Sequence, residues 1–242
     1  MAMANRIKAI FFDAGNTLIY PRLDEMAAEL TAGGYPASVE DFYASESEGK
    51  KKLDAWLGPL LETRAMPPQV DRVYWTEYIH ALLRRLRVPL TAHSAVTNQI
   101  IERFREIQFW SRVFPETVPL LTRLRDEGYY LGVISNSVGT MEEQLERVGL
   151  ARYFRTILDS AVVGVEKPHP AIFNMALERA EISADEALFV GDTYGTDIGG
   201  ARLAGLRGVL IDRFGVYGET VSCPRIRSLD GLLAVLDGFS AG

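Results

Sequence analysis

Residues 8–20 read KAIFFDAGNTLIY. The apolar run Ala9-Ile10-Phe11-Phe12 meets one carboxylate, Asp13, and then breaks into the small-residue turn Ala14-Gly15-Asn16-Thr17. A short continuous apolar run reads as a strand buried on both faces of a parallel sheet, and the turn supplies its stop. In an open parallel sheet, ligands bind beyond the carboxyl ends of the strands. Asp13 is therefore expected at the lip of the sheet, facing a ligand. A lone strand-end Asp also reads as a turn cap. Three further stretches of the same kind downstream favour the ligand-facing reading.

From residue 114 onward, strands and helices alternate. The spacing predicts a helix over 115–127, with Thr117, Leu120, Leu121 and Leu124 on one face, ended by Gly128. A strand over 130–134 follows, then a helix over 141–148 closed by Gly149, and a short strand over 156–158. A helix over 170–180 faces inward with Ile172, Phe173, Ala176 and Leu177. Strand 187–190, helix 197–204, strand 208–211 and a final helix over 228–236 complete the series. Such alternation gives a parallel sheet with helices on both faces, and strand 9–12 belongs to it by character.

Residues 21–110 read differently, as amphipathic helices with no convincing buried strand. A helix over 22–30 is stopped by Gly33-Gly34, and Ser38-Val39-Glu40-Asp41 has the form of a helix start. Pro67-Pro68 marks a turn or a first helical residue. Trp75, Tyr78, Ile79, Leu82, Leu83 and Leu86 then recur at helical spacing. A helix over 93–110 would carry Val96, Ile100, Ile101, Phe104 and Ile107 on one side. The expected organisation is an α/β, Rossmann-like core over 1–20 and 111–242, with an all-helical insert over 21–110. The crossings would be short, near 18–21 and 111–114.

Composition narrows the function. The 242 residues are 48% hydrophobic and carry a formal net charge of -6. A mildly acidic chain argues against sequence-independent nucleic-acid binding, which runs on phosphate neutralisation. Cys223 is the one cysteine, so no internal disulfide forms, which fits a reducing compartment. The apolar run near the N-terminus is too short for a signal-peptide core or a membrane span. The expectation is a soluble, cytoplasmic protein without a membrane partner.

Four strand ends carry polar residues. Asp13 follows the first strand, Ser135-Asn136 the second, Lys167 precedes the helix at Pro170, and Asp192 follows Phe189-Val190-Gly191 with Asp197 five residues later. Strand ends on one edge of a parallel sheet converge, so these groups can meet in one crevice. Asp13 and Asp192 would hold a hard divalent cation through oxygen, as magnesium prefers. A hydroxyl and a lysine would hold a phosphate, and the cation with Lys167 would neutralise charge on a transferring phosphoryl group. Asp13 would also serve as a carboxylate nucleophile. Taken singly, Ser135 reads as a turn residue, Lys167 as a surface charge and Asp197 as a helix N-cap; their order at successive strand ends is what carries the reading.

In that order the chain resembles the haloacid dehalogenase-like hydrolases. The matching residues are Asp13-Ala14-Gly15-Asn16-Thr17, Ser135-Asn136, Lys167-Pro168, and Gly191-Asp192 with Asp197. The resemblance covers nearly the whole chain and implies a Rossmann-like core with a helical cap between the first and second motifs, where the insert falls. It implies Asp13 as nucleophile forming an aspartyl-phosphate, and Ser135, with the Asn136 backbone, holding phosphoryl oxygens. It implies Lys167 paired with the nucleophile and the phosphoryl group. Magnesium would be bound by Asp13, Asp192 and the Gly15 carbonyl, with Asp197 orienting the metal shell or Lys167. The substrate would be a small phosphorylated molecule.

Gly15 departs from that pattern, because phosphatases of the family usually carry an acid/base Asp there. A positioned acid is typically worth about 100- to 10,000-fold, so hydrolysis of poor leaving groups is expected to be weakened, and glycine is expected to leave space. Two alternatives follow: carbon–phosphorus cleavage like that of phosphonoacetaldehyde hydrolases, through a Schiff base on a cap lysine, or a low-turnover phosphate-binding regulatory protein. Lys50-Lys51-Lys52 reads as a solvated helix face, as do Arg84, Arg85 and Arg87. Trp75, Tyr78 and Trp110 read as packing. His80, His93 and His169 lack zinc spacing, and His169 reads as a helix-start residue. Cys223 reads as an inert thiol.

Overall fold

A computed structural model describes residues 7–64, 70–218 and 221–240. Eight strands occur among them: β1 (Ala9–Phe12), β2 (Ile19–Pro21), β3 (Trp110–Val113), β4 (Tyr130–Ser135), β5 (Thr156–Asp159), β6 (Ala187–Gly191), β7 (Arg207–Ile211) and β8 (Arg225–Ile226). The helices are α1 (Leu23–Ala32), α2 (Val39–Glu62), α3 (Val70–Arg85), α4 (His93–Arg105), α5 (Thr117–Asp126), α6 (Met141–Arg147), α7 (Ser160–Val163), α8 (Pro170–Ala180), α9 (Gly200–Leu203) and α10 (Leu232–Ser240). Six strands form one parallel sheet in the order β5-β4-β1-β6-β7-β8. The chain runs outward from β1 to β4 and β5, then returns to the other side of β1 for β6, so β1 stands where the strand order reverses. That reversal opens a crevice at the carboxyl end of β1.

Both faces of β1 are buried. Ile10 and Phe12 pack with Leu131, Val133, Leu188 and Val190 beneath α5 and α10, while Ala9 and Phe11 pack with Ile134 and Phe189 beneath α8. The two sets alternate, as the pleat of a strand requires. The α/β, Rossmann-like class expected from the alternation is therefore the observed one.

The helical insert has its own core, in which Met26 and Leu30 of α1 meet Phe42 of α2, Tyr78 and Leu82 of α3, and Ile100 of α4. Helix α2 begins as its sequence predicts: Ser38 accepts from the Asp41 amide, and Asp41 returns a bond to the Ser38 amide. His169 caps α8, its Nδ1 accepting from the Ala171 amide at 3.1 Å. The Pro67-Pro68 turn lies outside the described residues. Among the described residues no helix is long and apolar enough to cross a membrane.

Three expectations are corrected. The helix over 93–110 ends at Arg105; a 3-10 turn over Ile107–Phe109 and strand β3 follow. Trp110 folds back so that its indole N–H donates to the Phe104 carbonyl at 2.8 Å, satisfying an acceptor left over at the helix end. Strand β3 pairs antiparallel with β2, so a two-stranded ribbon carries the chain into and out of the insert. The helix expected over 197–204 starts earlier, as a π-helical turn over Tyr194–Gly199, and becomes α-helical only at α9. In that turn the Asp197 and Ile198 amides both donate to the Thr193 carbonyl. Asp197 is therefore inside the turn rather than its N-cap.

Candidate active site

Sheet register gathers the strand-end residues. Phe12 pairs with Val133 on one side and Val190 on the other, so Asp13, Ser135 and Asp192 emerge close together at the same edge. The Asp13 amide donates to the Val190 carbonyl at 2.8 Å, which fixes where its side chain starts. Lys167 arrives from the loop before α8 and is almost wholly buried. Its Nζ donates to Asp13 Oδ1 at 2.6 Å and to Asp197 Oδ1 at 2.8 Å. Asp197 Oδ2 accepts from the Thr193 amide at 2.9 Å. This turn presses against β6 so closely that a Cβ on Gly191 would lie 2.5 Å from the Asp197 carboxyl.

Asn136 acts through its side chain. Its Oδ1 accepts from the Lys167 amide at 2.7 Å, and its Nδ2 donates to the Lys167 carbonyl at 3.0 Å. The same Nδ2 donates to Asp71 Oδ1 of the insert at 2.9 Å. Ser135 is buried and lines the cavity beside Asp13.

The insert closes over these groups. The sequence places Lys50 on a solvated face; in the structure it is 5% exposed and reaches the site. Its Nζ lies 2.6 Å from Asp192 Oδ2 and 2.6 Å from Glu46 Oε1. Lys51 and Lys52 do remain exposed, Lys52 bonded to Glu77. Glu46 also accepts from Asn16 Nδ2 at 2.9 Å, and Asp54 accepts from the Gly195 amide at 2.8 Å. A cavity of about 460 Å³ remains between the layers. Asp13, Lys167 and Asp192 lie on its core side, and Asp71, Trp75, Phe104 and Trp110 on its insert side.

Gly15 does not leave the space expected of it. A Cβ there would meet the Trp110 ring at 3.2 and 3.4 Å. Trp110, read as packing, packs against the position where an acid was expected.

Burial dominates the electrostatics. Removal from water pushes the Asp13 carboxyl up to about 7, against the pull of Lys167 and with Asp197 and Asp192 adding to the rise. Asp192 is raised to about 6 for the same first reason, with Lys50 opposing. Burial pulls the Lys50 ammonium down, but Asp192 and Glu46 outweigh it and hold it protonated well above its ordinary range.

Ligand oxygens of Asp13, Asp192 and Asp197 lie within 4.8 Å of one another. Around them, Asp13, Asp192, Asp197 and Glu46 face Lys50 and Lys167, an excess of two formal negative charges. An all-oxygen, buried, doubly negative cluster fits a hard divalent cation. Asp197 has both oxygens engaged, so Asp13 Oδ2 and Asp192 Oδ1 are the carboxylate oxygens left without a protein partner among the described residues.

Fold and site define a capped α/β protein: a parallel sheet with charged residues at its strand ends under a helical insert. The comparisons name the family. The haloacid dehalogenase-like hydrolase family matches residues 7–205. A glyceraldehyde 3-phosphate phosphatase from Pyrococcus abyssi is 30% identical over 84% of this chain and 80% of its own. One from Methanopyrus kandleri is 29% identical over 86% of this chain and 84% of its own. The HAD-hydrolase YfnB from Bacillus subtilis, solved bound to magnesium, shares the fold with a TM-score of 0.65 and 23% identity, over 96% of this chain and 100% of that one. The chain belongs to the haloacid dehalogenase-like hydrolases, and its relatives set it among the phosphatases of that family.

Proposed function

We propose that this enzyme is a magnesium-dependent phosphatase that hydrolyses a small phosphorylated molecule through an aspartyl-phosphate on Asp13. The observation that carries the reading is Lys167, buried and bonded at once to Asp13 and Asp197 at the floor of the cavity between core and insert. Residues 1–20 and 111–242 would be the catalytic core and 21–110 the cap. A carboxylate oxygen of Asp13 would attack phosphorus while Ser135 and Lys167 hold the phosphoryl oxygens. Asn136 would keep Lys167 in place through its paired amide contacts. Water would then release phosphate from Asp13. Asp13, Asp192 and the Gly15 carbonyl would hold magnesium, with Asp197 fixing Lys167. The bound ion would keep both carboxylates ionised and offset phosphoryl charge.

The relatives named for glyceraldehyde 3-phosphate and phosphoserine make those two esters the first substrates to test. In a screen of small phosphate esters with magnesium, wild type is expected to release phosphate. Asp13→Asn is expected to stay folded and release none, since an amide cannot form a stable acyl phosphate. Wild-type turnover in the purified variant would overturn Asp13 as nucleophile. Activity unchanged in excess chelator would overturn the metal.

Lys50, buried in the site, favours a second reading: Schiff-base cleavage of a carbon–phosphorus bond. A Schiff base needs a neutral amine, and Asp192 and Glu46 hold this one charged. Borohydride trapping with phosphonoacetaldehyde separates the two, and no adduct at Lys50 is expected.

A further inference from the structure

We propose that Asp71, at the start of α3 in the cap, is the proton donor and acceptor of the hydrolysis, in the role that Gly15 leaves open. The inference rests on the phosphatase reading above. An acid in the first turn of a helix ordinarily faces water and the helix dipole. Asp71, a residue of the insert, instead lines the same cavity as Asp13, Gly15 and Lys167. Its Oδ1 accepts from Asn136 Nδ2 at 2.9 Å, and that amide also holds Lys167, the residue bonded to the nucleophile. The Asn136 side chain thus links Asp71 to the backbone of the lysine whose Nζ holds Asp13. Its other oxygen has no hydrogen-bond partner among the described residues and is available to a leaving-group oxygen. Trp110 stands against Gly15, where a Cβ would lie 3.2 Å from its ring, so an acid at the usual position would crowd the indole, while the cap already carries an acid on the cavity.

Removal from water also raises the Asp71 carboxyl to about 6, against the Asn136 hydrogen bond and with Glu166 adding to the rise. An acid that must give a proton and then take one works best near the operating pH. The charged groups that act on it are Glu166, Lys167 and Asp197, and Arg72 lines the cavity beside it.

The proton balance closes. In the first half, an Asp13 oxygen bonds to phosphorus, the ester P–O bond breaks, and the departing oxygen takes the Asp71 proton to leave as an alcohol. In the second, the Asp71 carboxylate takes a proton from water, the water oxygen bonds to phosphorus, and the P–O bond to Asp13 breaks. One water is consumed and both carboxyls return to their starting states.

The test is Asp71→Asn, which keeps an acceptor for Asn136, assayed on phosphoserine and on p-nitrophenyl phosphate. Phosphoserine turnover is expected to fall about 100-fold or more. Nitrophenolate leaves without a proton, so the aryl ester is expected to give a burst of one equivalent per site and then slow turnover. The ionisation near pH 6 should also leave the kcat profile. Asp71→Glu, which keeps a carboxyl, should retain measurable phosphoserine turnover without a burst. An equal loss on both esters with no burst, or phosphoserine turnover within about threefold of wild type, would overturn the role of Asp71 while leaving the phosphatase standing. A wild type inactive on every ester would overturn the phosphatase reading itself.

Discussion

Lys50 Nζ of the cap lies 2.6 Å from Asp192 Oδ2 of the core, so the two parts are joined by a buried ion pair at the candidate metal cluster itself. Removing one partner of a buried pair leaves the other uncompensated, at a cost of about 3–5 kcal/mol. A divalent cation on Asp192 would supply the missing charge. Lys50→Met is therefore expected to melt well below wild type in chelator and to recover much of the difference when magnesium is added. Equal deficits with and without magnesium, by differential scanning calorimetry, would show that the cation does not reach Asp192.

Trp110 sets the outcome of restoring an acid at Gly15. The backbone there is not in the left-handed region, so strain from φ is not the obstacle. The obstacle is the indole at 3.2 Å, pinned through its N–H to the Phe104 carbonyl. Gly15→Asp alone is expected to lose stability by about 1–3 kcal/mol, as overpacking does, without a gain on alkyl phosphates. Gly15→Asp combined with Trp110→Ala should gain activity relative to Trp110→Ala. Steady-state kinetics on the three variants checks this, and a gain from Gly15→Asp alone would contradict it.

Asp54 ties α2 to the Gly195 amide, and burial raises its carboxyl from 3.8 to about 6. The folded form thus binds its proton more tightly than the unfolded chain does. The stability linked to that proton is fully present below about 3.8 and is lost as pH rises through about 6. Asp54→Asn should flatten the fall in stability between pH 4 and 7 by something on the order of 2 kcal/mol. Urea unfolding across that range measures it, and an unchanged slope would remove Asp54 from the pH dependence.

Much of the core was legible because its strands are short apolar runs with polar residues at one end. Asp13, Ser135, Lys167 and Asp192 could be placed at one sheet edge from topology alone. Lys50 was hidden by its neighbours, since Lys51 and Lys52 do face water and three adjacent lysines read alike. The available signal was spacing: Phe42, Glu46, Gly49, Lys50, Leu53 and Leu57 fall on one buried face of α2. Glu46 and Lys50, four residues apart, fall on that apolar face and form a buried pair. The ribbon was missed because β2 has three residues, one of them proline, and β3 is only partly buried. The contact between Trp110 and Gly15 joins residues far apart in the chain, and no local pattern encodes it. Asp71 carries no sequence signal of its own, because a first-turn Asp looks the same whether it faces water or a ligand.

The β2–β3 ribbon sets Tyr20 opposite Arg112, so the chain leaves the core and re-enters it at adjacent points. Topologically the cap is a graft on a hairpin. Replacing 21–110 by a short turn would close the ribbon without rerouting the sheet, because closure entropy changes slowly with loop length. Caps of other sizes are admissible on the same stem. What cannot be exchanged so freely is the inner surface, where Lys50 and Asp71 meet the core: a transplanted cap that folds well but lacks those two side chains would give an intact scaffold with its charge and proton inventory altered.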